Sequence, residues 1–310
     1  MTPWPPADPD TLAFNARLER ILAGVPPPNT VPPAKTRRDR EEGRGPFGPL
    51  KLLDGATTRG IPGPAGDIAL RVFAPPAPTG VYLHFHGGGW TLGGPHHQDP
   101  LLWDLARACN VTVVSVDYRL APENPYPAGP DDCEAAALWL AQNAAAEFQT
   151  DRLFLGGESA GAHLAALTLL RLRDRHGLTP FAAANLTYGI FDLSVTPSAA
   201  NWGDRYFILS TPIIHWFGDQ FLPPEFRRRD PAISPLYANL RGLPPAIFTV
   251  GAEDPLLDDT LFMHARWHAA GNRAELAVYP GGAHAFNVFP IPIAAAANAR
   301  IHAFLNSIRP

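Results

Sequence analysis

Residues 153–170, "LFLGGESAGAHLAALTLL", hold a single serine, Ser159, between Gly157 and Gly161. A short apolar run precedes it and a helical pattern follows, so the serine falls where a strand must turn into a helix. "GESAG" fits G-x-S-x-G, in which glycines relieve the crowding of a strained strand-to-helix turn and leave the hydroxyl exposed above a sheet. The competing reading is an ordinary glycine-rich turn. Context decides against it, because "RLFLG" reads as the strand and "AHLAALTLLRLR" as the helix that the motif requires.

Similar units extend on both sides. Strand-like runs occur at 68–74, 81–85, 111–116, 152–156, 246–251 and 274–279, and helical patterns at 98–109, 131–148, 160–175, 258–271 and 294–308. Short strands alternating with helices of this length predict an α/β fold with a mostly parallel central sheet and helices on both faces. Proline clusters ("PWPPADP", "VPPPNTVPPAK") forbid one long helix before residue 60. They leave room for a short amphipathic one in "DPDTLAFNARLERILAG", capped by Asp10 or Thr11. An amphipathic helix stranded between proline-rich loops needs something to cover. Residues 1–50 are therefore read as part of a cap, 51–190 and 236–310 as the two halves of the core, and the aromatic, strand-poor stretch 191–235 as a second part of the cap.

Composition narrows the function. A net charge of −4 leaves no electrostatic footprint for nucleic acid or anionic lipid. The run Arg227–Arg229 and the mixed-charge "KTRRDREEGR" at 35–44 read as solvated surface. Cys109 and Cys133 have no Cys or His at metal-ligand spacing and read as buried small side chains. No apolar run approaches the ~18 residues of a membrane span. The start "MTPWPPADPDTL" lacks the pattern of a secretory signal, so a cytoplasmic setting is expected.

A serine hydroxyl needs a base within reach, and the base needs a third group to orient it. After Ser159, in the order acid then histidine, two loops at strand ends qualify. "AIFTVGAEDPLLDD" offers Glu253, Asp254, Asp258 and Asp259, and "AELAVYPGGAHAF" offers His284. Asp258 and Asp259 open a helical pattern and are explained as caps. Glu253 would point away from Asp254 on an extended loop. Asp254, biased toward extended backbone by Pro255, is the expected acid and His284 the expected base. "HFHGGGW" at 84–90 ends another strand in a backbone that can approach substrate closely and donate N–H groups to a developing oxyanion. It lacks the following helix and Lys–Ser/Thr pair of a phosphate cradle.

Taken together and in order, "HGGGW", "VDYRLAPENPYPAGPDD", "GESAGAHLAA", "EDPLLDD" and "GGAHAF" make the chain resemble the bacterial hormone-sensitive-lipase family of α/β hydrolases, from about residue 65 onward. The resemblance implies a Ser159–His284–Asp254 triad and an oxyanion hole from the N–H groups of Gly88, Gly89 and Ala160. It also implies a lid from the N-terminal segment and the later insert, and a homodimer through the sheet edge. His86 and Glu158 are expected to support the site. Glu158 replaces the more usual Asp and is expected to hold a neighbouring loop; Ala162–His163 and Gly189 also depart from the usual pattern.

The activity so implied is that of a serine carboxylesterase acting on short- to medium-chain esters through an acyl-enzyme, with no metal and no cofactor. An amidase or lactonase would use the same triad. A ligand-binding receptor on this scaffold would be expected to tolerate loss of the histidine, which is present. A prolyl-type peptidase would need an extra domain for which 310 residues leave no room.

Overall fold

A computed structural model describes residues 4–308. Helix α1 (Pro9–Ala23) starts on a proline, whose missing N–H costs nothing there, and ends at Gly24. Its cap is Asp8, not Asp10 or Thr11: the carboxylate accepts from the Thr11 N–H at 2.9 Å. A second helix, α2 (Pro33–Glu41), carries the mixed-charge segment. The order then runs β1 (Thr57–Gly63), β2 (Gly66–Phe73), β3 (Val81–Phe85), α3 (Asp99–Cys109), β4 (Thr112–Asp117), α4 (Ala128–Phe148), β5 (Leu153–Glu158) and α5 (Ala160–His176). It continues with β6 (Phe181–Thr187), the single turn α6 (Pro197–Ala200), α7 (Thr211–Phe221), β7 (Ala246–Glu253), α8 (Leu257–Ala269), β8 (Ala274–Ala283) and α9 (Pro292–Ser307).

Eight strands form one sheet in the order β1-β2-β4-β3-β5-β6-β7-β8, parallel from β4 to β8 and antiparallel through β1, β2 and β4. β3, β5 and β6 occupy the middle, and all five residues of β3 and all six of β5 are buried, as strands covered on both faces must be. Leu102, Leu105 and Cys109 of α3 pack with Ile301 and Phe304 of α9 on one face. The other face carries α4, α5 and α8, through Leu140, Leu164 and Trp267 among others. Helix α5 is buried all round from Ala160 to Leu172. Both cysteines are free and buried.

Two strands were not legible from the residue pattern, although the family resemblance implies a strand near 188, where β6 ends. β1 contains Gly60, Pro62 and Gly63 and is mostly exposed; proline is tolerated there because β1 is an edge. β6, "FAAANLT", has alanines where a strand pattern would show β-branched residues.

The segment before β1 and the excursion between β6 and β7 meet over the C-terminal ends of the strands. Pro28–Thr30 lies against α7, and Asn15 of α1 bonds to the carbonyl of Gly281 at 2.8 Å. Between them and the sheet lies a cavity of about 1150 Å³, lined from above by Pro28, Phe47 and Phe217 and from below by Ser159 and His284.

Candidate active site

Ser159 follows β5 directly and precedes α5, with φ 57° and ψ −119°, a conformation sparsely populated by residues with a side chain. Such strain, of order 1–3 kcal/mol, persists only where packing enforces it. Here the enforcing contact is close backbone approach. A Cβ on Gly161 would sit 1.9 Å from the Phe85 carbonyl oxygen, so only glycine lets α5 start this near β3.

Asp254 immediately follows β7 and His284 immediately follows β8. The parallel sheet therefore delivers all three side chains to one end. His284 Nε2 lies 3.0 Å from Ser159 Oγ, and His284 Nδ1 lies 2.9 Å from Asp254 Oδ2. The second oxygen of Asp254 accepts from the Leu256 N–H at 2.9 Å, which pins the carboxylate in its plane. Asp254 is 2% and His284 5% exposed. Glu253 turns the other way to an exposed ion pair with Arg205.

Asp258 and Asp259 do not cap α8, whose first turn is bonded instead by Ser198 Oγ, accepting from the Asp258 N–H at 3.0 Å. They bind the start of the β6–β7 excursion instead. Asp259 is buried and accepts from the N–H groups of Phe191 and Asp192 at 2.6 and 2.9 Å and from Thr196 Oγ1 at 2.6 Å. Burial pushes its carboxyl up to about 7 against those three donors. Asp258 accepts from the Ser198 N–H at 2.8 Å.

The glycine loop after β3 turns through Gly88 and Gly89, both at positive φ. The Gly88 carbonyl accepts from Thr91 and Leu92, whereas the N–H groups of Gly88 and Gly89 donate to nothing among the described residues. Ala160 opens α5, where the first N–H groups have no intrahelical partner. Three unspent donors thus stand around Ser159, which a developing oxyanion requires.

Supporting contacts differ from the sequence expectation. Glu158 holds no loop: it reaches across the sheet to His84 Nε2 at 3.0 Å, and His84 Nδ1 meets Ser115 Oγ at 2.8 Å. His86 does support the glycine loop, with Nδ1 2.9 Å from the Gly87 carbonyl and its ring stacked on Tyr118. Two supports went unread in the sequence. His163 accepts from Trp90 Nε1 at 3.1 Å and meets the Ile233 carbonyl at 2.7 Å, tying the loop to the excursion. Arg37 of α2 donates to the carbonyls of Thr91 and Ala121, both at 2.7 Å. The only signal for either was a histidine inside an otherwise apolar helix and an arginine in a charged run.

Burial lowers His86 to about 3 and His163 to about 4, so both rings are neutral at physiological pH. In the unfolded chain an imidazole takes up its proton near ~6.5. The stability that depends on keeping them neutral is therefore present above about pH 6.5 and is lost as pH falls toward 4. Two separable effects are expected. Between pH 5 and 8 neither ring titrates in the folded enzyme, so neither should add an ionisation to the acid limb of kcat/KM. The melting temperature should fall separately on acidification. A limb with slope two at constant melting temperature would contradict this.

A profile for the alpha/beta hydrolase fold matches residues 82–288. The chain belongs to the hormone-sensitive-lipase-like α/β hydrolases. It is 36% identical over 255 residues to the carboxylic ester hydrolase LipN of Mycobacterium tuberculosis, covering 79% of this chain and 67% of LipN. The carboxylesterase NlhH of the same organism is 38% identical over 244 residues, 75% of each chain. Among solved structures, a hyperthermophilic esterase from the archaeon Pyrobaculum calidifontis superimposes with a TM-score of 0.88 at 29% identity, over 98% of this α/β hydrolase and 99% of that chain. No described helix of this α/β hydrolase is long and apolar enough to cross a membrane.

Proposed function

We propose that this α/β hydrolase is a serine carboxylesterase that cleaves short- to medium-chain esters through an acyl-enzyme, with Ser159 as nucleophile, His284 as base and Asp254 as its orienting acid. The observation that carries the reading is the unbroken relay Ser159 Oγ–His284 Nε2–His284 Nδ1–Asp254 Oδ2, with steps of 3.0 and 2.9 Å. The relatives' names, carboxylic ester hydrolase and carboxylesterase, support the same reaction class.

In the proposed cycle Ser159 Oγ attacks the ester carbonyl while His284 Nε2 takes the hydroxyl proton. Asp254 keeps the other ring proton on Nδ1 and stabilises the imidazolium. The N–H groups of Gly88, Gly89 and Ala160 receive the oxyanion. The imidazolium then protonates the leaving alcohol, and a water activated by the same ring hydrolyses the acyl-enzyme. Every group this sequence needs is a side chain or amide of the chain itself. Residues 1–50 and 191–235 would act as the two parts of a cap that encloses the acyl chain. Among described residues Phe47, Leu209, Ile214 and Phe217 give the cap an apolar part of its lining, beside the charged residues of α2.

A bounded apolar pocket gains only ~0.8 kcal/mol per methylene and stops gaining once filled. Turnover is therefore expected to peak at acyl chains of roughly four to eight carbons, in keeping with ordinary ligand-pocket sizes. A series of chromogenic esters run beside the matching anilides tests both points. Preference for chains of sixteen carbons or more would overturn the pocket assignment, and comparable anilide turnover would make the enzyme an amidase.

A further inference from the structure

Four Lys/Arg side chains line the cavity that holds Ser159: Lys35, Arg40, Arg44 and Lys51. Lys35 and Arg44 pair with Asp39 and Lys51 is exposed, whereas Arg40, in the last turn of α2, is partly buried and its side chain makes no hydrogen bond or ion pair among the described residues. Its guanidinium lies over the Phe47 ring, 4.9 Å from the centroid, and Phe47 stacks in turn on Phe289. A guanidinium stacked by its face keeps its edge, the fork of N–H donors, free for a planar anion.

The nearby carboxylates are committed elsewhere. Glu41 is bonded to His97 at 2.7 Å and His96 at 3.0 Å. Asp39 is shared by Lys35 and Arg44, both at 2.5 Å. Glu158 faces His84 at 3.0 Å, and Asp104 pairs with Arg107 at 2.6 Å. Helix α2 cannot easily turn to bring Arg40 a partner, because Arg37 on the same face is held by the carbonyls of Thr91 and Ala121 and by Glu123. Burial lowers the Arg40 side chain to about 10, which still leaves it charged at neutral pH. A charge partly withdrawn from water and left unpaired is costly to keep, and part of the cost is recovered when an anion docks against it.

We propose that Arg40 forms an anion subsite of the substrate cavity, so that the preferred substrates are esters that also carry a carboxylate. This rests on the esterase reading above. It places a cation on the cap side of the cavity, close enough to His86 and His97 to bear on their charge.

The test compares charged and neutral esters of matched length by pH-stat. The acyl-side pair is monoethyl adipate and ethyl hexanoate; the alcohol-side pair is 4-acetoxybutyrate and butyl acetate. In at least one pair kcat/KM should favour the carboxylate at least tenfold at low ionic strength. That ratio should collapse at least tenfold in Arg40→Met and survive in part in Arg40→Lys. In the wild type it should shrink as salt screens the contact, a measurement that needs no variant to fold. Ratios below one in both pairs, or a ratio indifferent to Arg40→Met and to salt, would overturn the subsite. A protein inactive on all four esters would instead sink the esterase reading. In that case calorimetry on Ser159→Ala still reads the subsite: monoethyl adipate should bind at least tenfold more weakly when Arg40→Met is added, and equal binding would overturn it.

Discussion

Asp254→Asn is expected to lower kcat by roughly 10³–10⁴ with the fold intact, by analogy with the template triad. The amide keeps the volume but presents the wrong hydrogen-bonding pattern to His284 Nδ1, so the tautomer with its lone pair toward Ser159 Oγ loses its support. The 2.9 Å bond from the Leu256 N–H to Asp254 Oδ1 can persist on the amide oxygen, which is why little stability should be lost. Asp259→Ala should do the reverse. It strands the buried N–H groups of Phe191 and Asp192, costing about 1–3 kcal/mol per orphaned group, while kcat stays within tenfold. Chemical denaturation and steady-state kinetics on the two variants separate the roles. If Asp254→Asn stays within tenfold of wild type and Asp259→Ala is stable but inactive, the acid has been misassigned.

That contrast also shows where sequence reasoning stops. β3, β5 and β7 were visible because buried parallel strands are short apolar runs, and β8, a half-buried edge strand, because its run 274–279 is rich in strand formers. Ser159, Asp254 and His284 stood out as candidates because strand ends concentrate functional loops. The separate role of Glu253 could be read from backbone direction. The roles of Asp258 and Asp259 could not: at the start of a helix a carboxylate is most simply a cap, and only the return of residues 191–198 over α8 gives them other donors. Asp8 was missed as the cap of α1 because Asp10 and Thr11 fit the same pattern, and such boundaries shift by a residue or two without any change in composition. Glu158, a longer carboxylate in place of the usual Asp, was expected to hold a neighbouring loop. It meets His84 instead, since adjacent parallel strands bring positions 84 and 156–158 side by side.

Arg40 marks the same limit from the functional side. In "KTRRDREEGR" charges of both signs alternate, and the simplest account is a solvated surface. The helix divides them. Arg37 and Arg40, three apart, share one face and turn inward to the loop and the cavity. Arg44 and Lys35 stay exposed with Asp39. Periodicity could have put Arg37 and Arg40 on one face, but not told which face would be covered. That depends on the docking of α2 against residues 91–123, contacts far apart in the chain.

Gly88→Ala is expected to cost about 10²–10³ in kcat, the loss seen when one oxyanion donor is removed. The residue has φ +126°, where side chains are strained, and an added Cβ would lie 2.1 Å from the Leu92 carbonyl oxygen. Backbone cannot give way by rotation as a flexible side chain can, so the loop must shift. The Gly88 carbonyl, which accepts from Thr91 and Leu92, moves with it. Those bonds fix the turn whose Gly88 and Gly89 line the same cavity as Ser159. Because the donors act on charge that exists only after attack, kcat should fall while KM changes little. Gly242→Ala is the control: it has φ +72° with nothing within 4 Å of the added Cβ, and it does not line the cavity. It should share the backbone strain and lose stability without losing rate. A Gly88→Ala enzyme within threefold of wild-type kcat would mean that the glycine loop does not hold the oxyanion.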